Sequence, residues 1–218
     1  MSYQQQPFLF SPPVRPGELE GIFRPPSKGK AVPRGPAKSA WEMRRIGEKD
    51  TGTRETVRVM AELAQAGAMH PGLLVDARRA VRNAGLASKD YAGELEAVFD
   101  YVRNNVRYVL DPRAYEYVQH PAWTLYTDGQ GDCDDSTTLI GALAMQLGHG
   151  FSIRTIRADP SRPDEFSHVY ALVGYRDKDG VHWFAADPTH PRPEDATFGW
   201  EAPEGMKWGT EDLVVAPA

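Results

Sequence analysis

The only cysteine of the 218-residue chain, Cys133, directly follows Asp132 and precedes two further aspartates. Apolar residues at helical spacing then continue to Gly148, so the sequence predicts a helix with the thiol in its first turn. Asp132 is a suitable N-cap and Asp135 suits the first turn, because unpaired amide hydrogens and the positive end of the helix dipole favour carboxylates there. The same groups favour the thiolate form of Cys133, which is the nucleophilic form of a cysteine.

The aspartates around Cys133 oppose a thiolate by like-charge repulsion, so a cationic partner such as a histidine is needed. His168 begins one strand-like run and Asp187 ends the next, with the turn sequence Asp-Lys-Asp-Gly at 177–180 between them. A hairpin centred on that turn would place His168 and Asp187 on one face as diagonal neighbours, whereas a loop of odd length would separate them. The sequence thus predicts a nucleophile, a base and an orienting carboxylate.

A cysteine, a histidine and an aspartate in this arrangement can carry out nucleophilic acyl chemistry. The His168 imidazole would take the thiol proton, and Asp187 would accept a hydrogen bond from the other ring nitrogen and support the positive charge. The thiolate could then attack a carbonyl carbon, with the backbone N–H of Cys133 as one donor to the oxyanion. For the second donor the sequence offers three unranked candidates: Gln130, Trp123 and Tyr126.

Three short segments resemble the Cys, His and Asp boxes of the transglutaminase-like cysteine peptidase superfamily, in the same order and at comparable separations. They are Gly131–Asp135, Ser167–Val169 and Ala186–Pro188. The preceding segment Tyr101–Tyr108 resembles the helix-to-strand segment that leads into the Cys box. The resemblance covers about residues 90 to 190, and the Gly-Asp-Cys-Asp-Asp form of the Cys box looks most like members encoded by tailed bacteriophages.

The resemblance implies a papain-like α+β fold, a thiol acyl-enzyme, and either hydrolysis or transfer of the acyl group to an amine. Cys133 matches the family's nucleophile, His168 its base and Asp187 its third member. Some members of the family keep the fold for binding. The resemblance therefore implies activity without establishing it.

The elements predicted from periodicity fit this fold class. Helices are predicted at residues 53–66, 71–84 and from 88 or 90 to 104. Strands are predicted at residues 107–110, 151–157, 168–175 and 181–187. We therefore expect an α+β domain at residues 51–190, in which N-terminal helices and a central cysteine-bearing helix pack on a small antiparallel sheet.

The two ends of the chain are predicted to lie outside that domain. Residues 1–50 hold eight of the eighteen prolines and nine Lys or Arg against five Asp or Glu, which is typical of an extended arm. Such an arm is either a mobile tail or a segment that docks on a neighbouring subunit. Residues 191–218 are also proline-containing and are predicted to form an irregular C-terminal strap.

Composition narrows the class of protein. With 41% hydrophobic residues, no apolar run of membrane-spanning length and no signal-peptide layout, we expect a soluble protein made in the cytoplasm without export. The net charge of -5 is mild, and the basic residues of the arm are too few to predict nucleic-acid binding. One cysteine excludes an internal disulfide.

A calcium site is an alternative interpretation, because four polar residues alternate as in a calcium loop: Asp128, Gln130, Asp132 and Asp134. Cys133 stands where that loop requires glycine, and Leu139 where it requires a bidentate glutamate. A zinc site would need a second cysteine or a close histidine pair. The sequence therefore predicts neither a metal nor another cofactor.

Two functions of different class follow. The first is a cysteine-dependent hydrolase or acyltransferase that acts on peptide or glutamine-type amides. The second is a structural component of an assembly, such as a phage particle, in which residues 1–50 and the C-terminal strap bind neighbouring subunits. Labelling of Cys133 by a thiol reagent distinguishes them.

Overall fold

The computed structural model of the protein describes residues 41–44, 50–111, 116–189, 197–201 and 209–218. Most of the predicted arm at residues 1–50 lies outside the described residues. Within the arm, β1 (Trp41–Arg44) is a strand that pairs antiparallel with β3 (Glu116–Gln119). No helix in these ranges is both long and apolar enough to cross a lipid bilayer.

Three helices precede the cysteine segment, close to the predicted bounds: α1 (Asp50–Gly67), α2 (Pro71–Ala84) and α3 (Tyr91–Asn105). Proline at the first position of α2 fits because that position needs no amide hydrogen bond, and Gly85 ends the helix with φ 65°. Asp90 caps α3 by accepting a hydrogen bond from the Gly93 amide at 3.0 Å. Local sequence signals therefore set these helix ends.

The cysteine-bearing helix, α5 (Cys133–Gln146), lies at the centre of the domain and packs on α1, α2, α3 and the sheet. Every residue from Asp134 to Ala144 is buried, including the polar first turn. Gly141 permits close packing, since a Cβ atom there would lie 2.3 Å from the Phe151 ring. Each fully buried large side chain contributes about 1.5–3 kcal/mol. The largest such side chains include Met60, Leu73, Phe99, Leu139 and Phe151.

Behind α5 lies a four-stranded antiparallel sheet in the order β7-β6-β5-β8. Its strands are β5 (Gly150–Ile156), β6 (His168–Asp177), β7 (Gly180–Ala186) and β8 (Thr210–Ala216). The β6–β7 register runs from Asp177 opposite Gly180 to Ala171 opposite Ala186. This is the even-length hairpin that the turn sequence predicts, and it fixes the face on which His168 lies.

The C-terminal segment differs from the prediction, because β8 is a regular strand and not part of an irregular strap. The prolines that suggested irregular structure, at positions 191, 193, 203 and 217, all lie outside it. Valines favour a strand here, and β8 supplies hydrogen-bond partners to the open edge of β5. Long-range pairing thus overrides the local turn signals.

The stretch between α3 and α5 also contains more regular structure than predicted. β2 (Arg107–Tyr108) pairs parallel with β4 (Gln130–Gly131), and α4 (Pro121–Trp123) continues into a π-helical turn at Thr124–Asp128. The predicted strand at 107–110 is thus shorter than expected. Its pairing places Tyr108 opposite Gly131, two residues before α5 begins.

Candidate active site

The nucleophile candidate is positioned by the start of α5. Cys133 is the first residue of the helix, and the Asp132 side chain accepts a hydrogen bond from the Asp134 amide at 3.2 Å. The Asp132 carbonyl accepts a hydrogen bond from the Ser136 amide at 3.1 Å. Asp132 therefore acts as the N-cap, and it fixes the backbone on which the thiol stands.

The base candidate, His168, is fixed by pairing with the neighbouring strand. It is the first residue of β6 and lies opposite Ile156 of β5. The preceding residue, Ser167, donates its amide to the Ile156 carbonyl at 3.0 Å and accepts at Oγ from the amide of Ala158 at 2.9 Å. These contacts hold the histidine at the start of β6, beside the cleft that Cys133 also lines.

His168 and Asp187 are directly bonded across the hairpin. The distance from His168 Nε2 to Asp187 Oδ2 is 2.7 Å, and Asp187 Oδ1 accepts from the amide and hydroxyl of Thr189 at 3.0 and 2.7 Å. Burial acts to raise the pKa of Asp187, but the His168 and Thr189 hydrogen bonds outweigh it and hold that pKa below its usual value. Asp187 is therefore an ionised acceptor beside the imidazole.

The charge of Asp187 acts on the imidazole. Burial by itself would lower the pKa of His168, but the hydrogen bonds and charges of Asp187 and Cys133 raise it to about 10. Imidazolium is therefore the stable form of His168 at neutral pH. This supplies the cation that the sequence argument requires beside the thiol.

Burial raises the pKa of the Cys133 thiol above its usual value. Interactions with the His168 ring and the Val169 amide act in the opposite direction without outweighing it. Cys133 is a partly buried residue and lines an open cleft. The sulfur and the His168 ring therefore form one coupled pair, with Asp187 behind it.

The cleft in front of this pair has a volume of about 380 Å³. Besides Cys133 and His168, it is lined by Val57 of α1, Tyr108 of β2, Leu110 just after β2, and Phe166 of the β5–β6 loop. The Leu110 side chain is 71% exposed, so this wall offers apolar surface to a ligand. A cleft of this volume lies within the usual size range of ligand-binding pockets.

The structure does not bring the three sequence candidates for the second oxyanion donor to this cleft. Trp123 Nε1 donates to Asp128 at 3.1 Å, and the Tyr126 hydroxyl donates to Asp76. Gln130 accepts at Oε1 from Arg107 Nη2 at 2.5 Å. Among the described residues that line the cleft, none of the three appears.

Tyr108 is a cleft residue that sequence reasoning missed. Burial raises the pKa of its hydroxyl, and the charges of Cys133, Asp132 and Asp187 raise it further. Tyr108 lines the cleft together with Cys133 and His168. The signal was weak, because a parallel pair of two-residue strands has no characteristic sequence pattern.

Three buried carboxyl groups surround the first turn of α5: Asp132, Asp134 and Asp135. One carboxylate oxygen from each residue lies within 4.8 Å of the other two, so the three residues could together hold a metal ion. Burial and mutual repulsion raise the pKa of Asp134 well above its usual value and that of Asp135 to about 8. Protonation of Asp134 and Asp135 removes the charge repulsion between these carboxyl groups. It also reduces the repulsion that they would exert on a thiolate at Cys133.

A crystal structure from Cytophaga hutchinsonii, described as that of a "putative cysteine protease", matches with 22% identity and a TM-score of 0.38, over 62% of this chain and 41% of that chain. No curated protein matches. The family model of the transglutaminase-like superfamily matches residues 78–188, a range that contains Cys133, His168 and Asp187. By this match over half of its length, the chain belongs to the transglutaminase-like superfamily.

Proposed function

We propose that this protein is a cysteine-dependent amide hydrolase or acyltransferase that acts on peptide or glutamine-type amides through Cys133, His168 and Asp187. Its family supports the coarser assignment, a cysteine-dependent hydrolase or transferase. The observations that support the finer assignment are the hydrogen bond between His168 Nε2 and Asp187 at 2.7 Å and the cleft that Cys133 and His168 line together.

The first half of the reaction forms an acyl-enzyme. Since Nε2 of His168 is bonded to Asp187, Nδ1 is the nitrogen that exchanges a proton with the thiol. The thiolate attacks the amide carbonyl carbon and forms a C–S bond. The tetrahedral intermediate then expels the amine, which takes the proton from His168, and a thioester remains on Cys133.

The second half of the reaction releases the acyl group. Water or a second amine attacks the thioester carbonyl while His168 takes a proton from it, and the C–S bond breaks to restore the Cys133 thiolate. Attack by water gives a carboxylic acid, and attack by an amine gives a new amide. The apolar wall of the cleft at Leu110 would exclude water from one side of the thioester.

The first experiment measures the reactivity of the thiol. The full-length protein and its Cys133→Ala and His168→Ala variants are treated at neutral pH with iodoacetamide, and separately with 4-nitrophenyl acetate while nitrophenolate release is followed. We expect alkylation and a burst of acylation in the parent protein. Both should be absent in Cys133→Ala and strongly reduced in His168→Ala.

A second experiment separates hydrolysis from transfer. The protein is incubated with casein as a glutamine donor and with a fluorescent primary amine. Incorporation of the amine into casein identifies an acyltransferase, and release of ammonia or of peptide fragments without incorporation identifies a hydrolase. A folded protein whose thiol reacts with neither small reagent would refute the proposed chemistry and favour the structural alternative.

A further inference from the structure

The residues on both sides of Tyr108 form backbone hydrogen bonds with the segment that precedes α5. The Arg107 amide donates to the Gly129 carbonyl and the Val109 amide to the Gly131 carbonyl, each at 2.9 Å. Gly131 is two residues before Cys133, so the same short ladder positions both the tyrosine and the start of α5. The relative position of the two side chains is therefore set by regular structure.

The Tyr108 hydroxyl is available to a ligand. The residue is 47% exposed and lines the cleft together with Cys133 and His168. None of the described residues forms a hydrogen bond with its hydroxyl. Burial, and after it nearby negative charge, raises the pKa of that hydroxyl above its usual value, so it remains a donor throughout the neutral and mildly alkaline range.

The backbone N–H of Cys133 is also available. As the first residue of α5, Cys133 has an amide that no helical carbonyl can reach. When Sγ attacks a carbonyl, the developing oxyanion lies about 3 Å from the nucleophile and must be met by donors that are already in position. One such donor is the Cys133 amide, and a second is needed.

We infer that the hydroxyl of Tyr108 is the second oxyanion donor of this site, acting together with the backbone N–H of Cys133. The inference rests on the proposed function, since it assigns a role in the same acyl chemistry. Two of the donors predicted from the sequence are already engaged elsewhere, because Trp123 donates a hydrogen bond to Asp128 and Tyr126 donates one to Asp76. Tyr108 contacts the reacting substrate oxygen in this scheme and is a catalytic residue.

The test compares two reactions of the same sulfur. Acylation by 4-nitrophenyl acetate passes through an oxyanion, whereas alkylation by iodoacetamide does not. Tyr108→Phe removes the hydroxyl and keeps the ring. We expect this variant to lose about 100-fold in the acylation rate constant, the typical effect of removing one oxyanion donor, with alkylation unchanged. The loss should fall on the rate constant of acylation and not on the apparent affinity for the ester.

A matched control is Tyr175→Phe, which removes a hydroxyl from the other end of the strand β6 that begins at His168. This variant should acylate and alkylate like the parent protein, and circular dichroism melting checks that both variants fold. If Tyr108→Phe acylates as fast as the parent protein, or loses both reactions equally, the inference is overturned while Cys133 remains a nucleophile. If the parent protein itself shows neither reaction, the proposed function fails instead.

Discussion

The coupling of His168 to Asp187 acts on the ionisation of the thiol. The hydrogen bonds and charges of Asp187 and Cys133 raise the pKa of His168 to about 10, and the imidazolium in turn acts to lower the pKa of Cys133, which burial raises. The aspartate is thus a positioning residue whose effect passes through the histidine. Its role should be visible in the pH dependence of thiol reactivity, even before a natural substrate is identified.

Asp187→Asn keeps the size of the side chain and removes its charge. The pKa of His168 should then fall towards its ordinary value, so that at pH 8 the imidazole is mostly neutral and the thiolate loses its cation. We expect the iodoacetamide rate at pH 8 to fall about tenfold or more and to recover partly at higher pH. A rate profile from pH 6 to 10 that is identical to that of the parent protein would contradict this role of Asp187.

Asp135 gives a second prediction at the scale of single residues. Its pKa is raised to about 8, so between the unfolded value of 3.8 and 8 the folded protein holds a proton that the unfolded chain releases. The free energy of unfolding should therefore decrease as the pH rises through this window, by up to about 1.4 kcal/mol per pH unit for one group.

Asp135→Asn should flatten that decrease. The new amide oxygen can still accept from the Gln119 backbone amide. The Gln119 side chain now donates at Nε2 to Asp135 Oδ2 at 3.1 Å, and turning its amide over lets the unpartnered Oε1 accept from the new NH2 group. Urea unfolding at pH 6 and pH 9 measures the difference, with Asp179→Asn at the exposed β6–β7 turn as the control. An unchanged slope would show that Asp135 is ionised in the folded protein.

At the scale of elements, the contact between α5 and β5 determines where Cys133 lies relative to the sheet. Gly141→Ala would place a methyl group 2.3 Å from the Phe151 ring, and such overpacking costs about 1–3 kcal/mol. We expect a lower midpoint in urea unfolding and slower acylation of Cys133, because the helix must shift. Adding Phe151→Leu should recover part of the loss, and a strictly additive double variant would argue against this contact.

The elements that sequence reasoning predicts well are those with local signals. The Asp132 cap, the glycine that ends α2 and the two-residue turn of the β6–β7 hairpin all act within a few residues, so they could be placed from the sequence. The pairing of β2 with β4 and of β8 with β5 joins distant segments. Tyr108 was missed for that reason, since its neighbours in space are remote in the chain.

At the scale of the whole molecule, β8 covers the edge of β5 and is itself the outer strand of the sheet. Ser152 and Thr155 of β5 donate their hydroxyls to β8 carbonyls at 3.0 and 3.1 Å, and Arg154 binds the Asp212 carboxylate at 2.6 and 2.7 Å. Deleting residues 210–218 would expose the full edge of β5. We expect a lower melting temperature and concentration-dependent aggregation, measured by thermal unfolding and size-exclusion chromatography.

The matched control for this deletion is Asp212→Asn, which weakens one partly exposed ion pair and keeps the strand. It should cost at most about 1 kcal/mol in the free energy of unfolding and cause no aggregation. A deletion variant as stable and as monomeric as the parent protein would show that β5 needs no partner on this side.

His168 and Asp187 are separated by 19 positions and belong to one continuous hairpin, whereas the sulfur is carried by a helix docked against it. The order of assembly follows from this division. The His168–Asp187 pair can form as soon as the hairpin forms. The Cys133 sulfur comes next to the imidazolium only after α5 has packed against the sheet. A partly folded chain therefore carries an unactivated thiol, and reactivity appears together with the native packing of the core.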